Sequence, residues 1–331
     1  MPKKKAQEEN GANGAVESSA PSGETTKGAN GATNGGTEDT ATQDMENNPL
    51  FVEPMQLCRP SSCHTFLEVV PETIDALQRV KSGVSVIAGV GSQRIGKSTI
   101  LNLFHSRRTS GFGLGHTLDA KTHGIWIWLR PHPKVPNTVV VLADTEGLDT
   151  PHIQQSYNWM LSALTVIISN VFLYQSKSTI DSSATDRLST ILAVSEQMMG
   201  DESSLTRKPT FIWVLRDIQL QMMKDPKTEM MDKLDTLHIR KMKRAFKDFD
   251  CFPLPRPVDS EEQLQHVESM KFDELKAGFK DEFFLLDRLV YGHAQTAPTF
   301  GNHLVTGEVM CQRVKRYIEA IRDSRMLTYV C

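Results

Sequence analysis

Apolar and polar positions divide the chain into two textures. Residues 1–48 run through Gly, Ala, Asn, Thr and Glu, as in GANGAVESSAPSGETTKG, with almost no large apolar side chain before Met45. Such a segment cannot bury enough surface to offset its chain entropy, so 1–48 is expected to be a disordered low-complexity tail. From 49 to 331 the pattern is that of one folded domain. VSVIAG at 84–89 is a β-branched run bounded by glycines and predicts a buried strand. A helix should open at 98–104. IWIWL at 125–129 and TVVVLAD at 138–144 predict two more strands, and the turn residues PHPKVPN between them predict an antiparallel hairpin. VFLYQS at 171–176, a helix over 185–199 and the strand PTFIWVLRD at 209–217 continue the alternation. Helices are expected at 228–249, 272–291 and 307–325. The order predicts an α/β domain, a mostly parallel sheet with helices on both faces.

Composition narrows the function classes. The 331 residues carry a net charge of −3, so the whole chain lacks the basic footprint of a nucleic-acid binder. The longest apolar run, LTVIISNVFLY at 164–174, is broken by Ser169 and Asn170 and reads as buried core rather than a membrane span. The start, MPKKKAQEEN, has no apolar region and so no secretory signal; Lys3–Lys5 reads as a solvated charge cluster. The five cysteines are odd in number and scattered, as free thiols in the cytoplasm would be. Cys58, Cys63 and His64 could begin a zinc site, but no second ligand pair follows at finger spacing. Cys331 is the last residue, not the fourth from the end, so no prenylation anchor is expected.

GSQRIGKS at 91–98 fits G-x-x-x-x-G-K-[ST] directly after a strand and before a helix. Gly91 and Gly96 let backbone N–H groups turn inward around phosphate oxygens. Lys97 reaches the β- and γ-phosphates, and Ser98 binds Mg²⁺. TVVVLADTEGLD supplies a second part: Asp144 closes an apolar strand and would hold Mg²⁺ through a water, and the N–H of Gly147 would meet the γ-phosphate. Leu148 stands where small GTPases carry a glutamine, and it cannot orient water. By itself, Arg216-Asp217 at a strand end reads as a surface ion pair, and Arg94 as an exposed loop charge. The methionines at 222, 223, 230 and 231 read as helix packing, and the basic helix TLHIRKMKRAFKDF as a solvated face.

GSQRIGKS, THGIWIW at 122–128, PHPKVPN, DTEGLD and VLRD at 214–217, in that order, resemble the GTPase domain of guanylate-binding proteins. These form the interferon-inducible branch of the dynamin superfamily and are related to the atlastins. The resemblance runs from about residue 51 to 325 and implies a P-loop GTPase domain over 49–331 that uses GTP and Mg²⁺, with an innate-immune role. The helical stalk that follows this domain in the family has no counterpart in the chain.

The resemblance also implies roles. Gly91, Arg94, Ile95, Gly96, Lys97, Ser98 and Thr99 become nucleotide contacts. Thr122 becomes the switch threonine completing a Mg²⁺ shell with Ser98 and Asp144. Arg216 and Asp217 become the base-reading pair, whose carboxylate accepts guanine N1–H and 2-amino donors that adenine lacks. Arg94 becomes an internal arginine finger, turned onto the phosphates when two G domains pair as a homodimer or heterodimer in the GTP state. Glu146 orders the water network, and CFPLPRPV at 251–258, with Arg256, becomes the guanine cap. Two departures stand out. Ala120 replaces a serine near Thr122, and Asp259, Ser260, Glu261 and Glu262 replace basic residues beyond the cap, which points to weaker pairing. The product is GDP, or also GMP as in some relatives; the alternative is a GTP-locked module that pairs with longer relatives with little turnover. Neither nucleic acid nor a membrane anchor is expected.

Overall fold

The computed structural model describes residues 40–61, 66–113, 123–148, 155–178, 180–199, 208–218, 223–295 and 304–323. Among them run eight strands: β1 (Met55–Pro60), β2 (Leu67–Val69), β3 (Gly83–Gly91), β4 (Ile125–Pro131), β5 (Thr138–Thr145), β6 (Val171–Lys177), β7 (Thr210–Arg216) and β8 (Asp248–Leu254). They form one sheet in the order β2-β1-β4-β5-β3-β6-β7-β8. β3 is parallel to both β5 and β6, and β6-β7-β8 continue in parallel. β4 and β5 form the expected antiparallel hairpin, with Ile125 opposite Thr145 and Pro131 opposite Val139. After β3 the chain places β5 on one side and β6 on the other. The carboxyl end of β3 is therefore the switch point of the topology, where open α/β sheets hold ligands.

The period-2 alternation of the strands feeds two cores. In β3, β5 and β7, residues such as Val86, Val141 and Trp213 face one core, and Ile87, Leu142 and Ile212 face the other. Helices α1 (Thr40–Met45), α2 (Pro71–Gln78), α4 (Gln155–Ile168), α5 (Ser182–Met199), α6 (Pro226–Lys233), α7 (Thr236–Ala245) and α10 (Gly307–Asp323) contribute to the first core. Helices α3 (Lys97–Ser106) and α9 (Ala277–His293) cover the other face, with α8 (Glu261–Gln265) beside them. β3, β5 and β7 are buried along their whole length, as parallel strands covered on both faces must be. Trp126 and Trp128 pack with the second core while Ile125 and Ile127 face the first.

Several expectations are corrected. Residues 40–48, expected within the tail, hold α1 and the turn after it, because short polar side chains tie this stretch down. The Thr40 amide donates to Asn137 Oδ1 at 3.0 Å, and Asn48 Nδ2 donates to Ala76 O at 3.0 Å. Asp44 accepts the Lys81 and Ser82 amides at 2.9 and 2.8 Å. An average over composition cannot see such contacts. The helix expected at 228–249 is two helices and a strand: α6 stops, and Asp235 caps α7 by accepting the His238 amide at 2.8 Å. The last two residues of that range already belong to β8. Cys251–Leu254 of the expected cap loop also belong to β8, leaving Pro255–Val258 as loop. In 164–174, α4 ends at Ile168 and β6 starts at Val171. β1 and β2, α4 as a helix, and the 3-10 turn Phe272–Glu274 ahead of α9 had no signal in the pattern.

Asp44→Ala removes the carboxylate that accepts the part-buried Lys81 amide and the buried Ser82 amide. It should lower unfolding stability by about 2 kcal/mol in urea denaturation. A loss below about 0.5 kcal/mol would mean that residues 40–48 are not part of the cooperative fold.

Candidate active site

The loop between β3 and α3 is shaped by close approach. A Cβ on Gly91, whose φ is +149°, would lie 2.1 Å from Gln175 O of the neighbouring β6, so only glycine passes there. Gly96 takes φ +83° and caps α3. Between them Arg94 is exposed and left-handed at φ 58°, a conformation that costs a non-glycine residue free energy and clusters at functional sites. Lys97, 7 % exposed, donates from Nζ to Ser92 O at 2.8 Å across the loop. Thr99 is buried in the first turn of α3, and Ile95 is half-buried.

The end of β5 closes against this loop. Asp144 is fully buried, and its Oδ2 accepts the Ser98 hydroxyl at 2.6 Å. Its Oδ1 is buried with no hydrogen-bond partner among the described residues. Burial outweighs the nearby Lys97 charge and the Ser98 bond, and pushes the Asp144 carboxyl up to about 6. Thr145 Oγ1 donates to Gly89 O at 2.8 Å, and the Leu148 amide donates to Gly91 O at 3.2 Å. A Cβ on Gly147 would lie 2.2 Å from Gln93 Cγ, so the glycine lets the two loops touch. One open carboxylate oxygen beside a serine hydroxyl is a hard-oxygen donor set, and it fits Mg²⁺. A cation there would also favour the ionised carboxylate.

Leu148 is 5 % exposed and joins the first core. Glu146, also buried, contacts Gly124 and His123. Its Oε2 accepts the Gly124 amide at 3.3 Å, its Oε1 lies 3.4 Å from His123 Nδ1, and its own amide donates to Gly124 O at 3.1 Å. It thus ties the loop after β5 to the start of β4. Thr122 and Ala120 lie outside the described residues, as do Cys63, His64 and Met222.

At the end of β7 the two residues of the Arg-Asp pair separate. Arg216 is 4 % exposed and lies against the first turn of α3: a Cβ on Gly96 would be 3.3 Å from its Nη2. Its Nε and Nη1 are buried without hydrogen-bond partners, and burial pushes its guanidinium down to about 10. Asp217 turns out of the strand at φ 56°. Its Oδ2 lies 3.4 Å from Arg256 Nε, and Arg256 Nη2 contacts Glu261 Oε1 at 2.7 Å.

Gly91, Gly96, Lys97, Ser98, Asp144, Gly147 and Arg216 therefore meet at the ends of β3, β5 and β7. Asp217 and Arg256 meet beside them, and Glu146 stands apart with Gly124. Sequence reasoning missed Gln93, Gln175 and His123, and gave Glu261 a bearing only on pairing. Gln175 is opposite Gly91 in the β3–β6 register, which only the topology discloses. Among the described residues no group of three or more His, Cys, Asp or Glu is arranged to hold a metal ion, and no helix is long and apolar enough to cross a membrane.

A family model described as guanylate-binding protein, N-terminal domain, matches residues 64–298. Guanylate-binding protein 7 of Homo sapiens is 30 % identical over 300 residues, which cover 82 % of this chain and 47 % of that protein. Guanylate-binding protein 6 of Pongo abelii is 28 % identical over 308 residues, covering 84 % and 48 %. Guanylate-binding protein 2 of Rattus norvegicus is 29 % identical over 312 residues, covering 85 % and 52 %. The chain spans about half the length of the curated relatives it matches.

Burial of Asp144 has a thermodynamic consequence with a definite sign. With its carboxyl raised from 3.8 to about 6, the folded chain holds a proton that the unfolded chain releases between those values. The group therefore works against folding as pH rises through that window, and fully so above it. In chelator and without nucleotide, Asp144→Asn should be more stable than wild type at pH 8, by on the order of 2 kcal/mol. The gain should vanish below about pH 4. Guanidinium denaturation at both pH values checks this, and a variant less stable than wild type at pH 8 contradicts it.

Proposed function

The chain belongs to the guanylate-binding protein family, and on that premise we propose that it binds GTP with Mg²⁺ and hydrolyses it to GDP and phosphate. The observation that carries this reading is the buried Asp144 carboxylate, with one oxygen on Ser98 at 2.6 Å and the other open. A chain has little reason to bury a carboxylate beside a glycine loop unless a cation belongs there. Ser98 and Asp144, the latter through water, would hold Mg²⁺, with Thr122 completing the shell. When bound, Mg²⁺ supplies charge neutralisation at the β- and γ-phosphates.

The chain's own groups do the rest. Lys97 leaves Ser92 O for the β- and γ-phosphate oxygens. The loop amides and the Gly147 N–H bind the remaining oxygens, so the DTEG loop senses the γ-phosphate. Asp217 accepts guanine N1–H and the 2-amino group, which sets GTP above ATP. Water attacks the γ-phosphorus, the bond to the β–γ bridging oxygen breaks, and the electron pair leaves on GDP. With Leu148 in the core, no side chain at that position orients the water. Glu146 acts by fixing Gly124 and His123 next to Thr122. Arg94, already exposed in a left-handed bend, is placed to turn onto the phosphates when two G domains pair, and its cation offsets the charge developing on the transferred group. We place the chain in the cytoplasm, with the innate-immune role of its family.

A second reading is a GTP-locked module that pairs with longer relatives. The burial of Leu148 and the turning of Glu146 towards Gly124 favour it. The GTPase rate measured at several protein concentrations, with GDP and GMP separated, decides between the two. The proposal expects the specific rate to rise with concentration. Arg94→Ala should flatten that rise and lower the maximal rate by about 100-fold or more, and Lys97→Ala should abolish turnover. Bound GTP with a flat, near-zero rate selects the locked module. Turnover equal to that of Lys97→Ala, without GTP binding, refutes both.

A further inference from the structure

We propose that Glu261 is a positioning residue for base recognition: it holds the Arg256 guanidinium off Asp217, so that both Asp217 oxygens stay open to the guanine edge. This rests on the reading of Asp217 as the base acceptor. Arg256 lies between two carboxylates and is divided unequally. Its Nη2 contacts Glu261 at 2.7 Å, a charge-assisted hydrogen bond. Its Nε is buried and lies 3.4 Å from Asp217 Oδ2, a longer and weaker contact. The stronger contact goes to the wetter carboxylate: the Glu261 side chain is 72 % exposed and that of Asp217 is 18 % exposed. Attraction is weaker in the wetter place, so on charge alone the arginine should settle on Asp217.

Backbone anchoring explains the inversion. Pro255 and Pro257 flank Arg256, and the Lys276 amide donates to Pro257 O at 2.9 Å. Leu254 and Val258 are buried on either side. Ser260 caps α8 by accepting the Gln263 amide at 3.0 Å, which sets Glu261 at the first helical position facing the arginine. Asp217 is aimed by its own left-handed turn. The Arg256 side chain is then the group shared between the two carboxylates. Without Glu261 its planar fork can close on Asp217 with two parallel bonds, which use the same oxygens as guanine N1–H and the 2-amino group. The acidic run after the cap thus has a role inside one chain. It keeps a cation beside Asp217 without letting that cation cover the carboxylate.

The test is binding of fluorescent mant-GDP, mant-IDP and mant-ADP to the full chain as wild type, Glu261→Gln, Glu261→Asp, Arg256→Gln and the Glu261→Gln/Arg256→Gln double variant. Inosine lacks the 2-amino group, so it needs one Asp217 oxygen fewer. Glu261→Gln should raise the Kd for mant-GDP by about three- to fivefold, move that for mant-IDP less, and so narrow guanine-over-hypoxanthine selectivity. Glu261→Asp should restore part of it. On the Arg256→Gln background, Glu261→Gln should change nothing further. Equal weakening of GDP and IDP, an unchanged mant-GDP Kd, or an additive double variant overturns the proposal while leaving guanine binding intact. Wild type binding mant-ADP as tightly as mant-GDP overturns the base-acceptor reading itself.

Discussion

The site depends on a carboxylate with no access to water. Asp144 ends β5 in the middle of the sheet, and its neighbours compensate the burial of its charge only in part. Burying an isolated charge is among the most expensive things a fold can do. On the proposed reading, a bound cation offsets that cost. The Ser98 hydroxyl occupies one oxygen and the other stays open. Every nearby feature follows from keeping that oxygen dry and fixed. Thr145 is pinned to Gly89, Leu148 is folded back onto Gly91, and its side chain seals the core below.

Two glycines make this closure possible, for steric rather than conformational reasons in one case. Gly147 must let Gln93 lie against its Cα, and Gly91 must pass under the carbonyl of Gln175. Together they bring β5, β3 and β6 close enough for one ligand to touch all three ends. Beside them the buried Arg216 guanidinium lies against Gly96 at the start of α3.

How much of this was legible follows from which residues carry local information. β3, β5 and β7 are continuous apolar runs, so their existence and burial could be read directly. The glycine loop and DTEG carry their chemistry in adjacent residues and were equally plain. β1, Met-Gln-Leu-Cys-Arg-Pro, has no alternation and sits near the sheet edge, where pairing alone makes it a strand. Asp248–Leu254 was partly absorbed into a helix because its acidic and aromatic residues continue an amphipathic stretch; only β7 beside it selects the extended form. The direction Glu146 faces, and the division of Arg256 between Asp217 and Glu261, depend on register and loop closure over many residues. No local pattern encodes them.

The two functional carboxylates show one problem solved in opposite ways. Burial outweighs the Lys97 charge at Asp144, so its neutral form is within reach. Asp217 is half-buried with a permanent cation 3.4 Å away, so it is ready to accept donors but must not be covered by that cation. A metal recognises charge, and a site for it gains from an unmet charge. A base edge offers two neutral donors, and a site for it gains from an ionised group that is open in the right direction. The first demand is met by burial, through the sheet. The second needs a counter-charge with a restraint on it, which a loop carrying Arg256 and the start of α8 can supply. On the proposed reading, that division puts the phosphate end on buried strands and the base end on a loop.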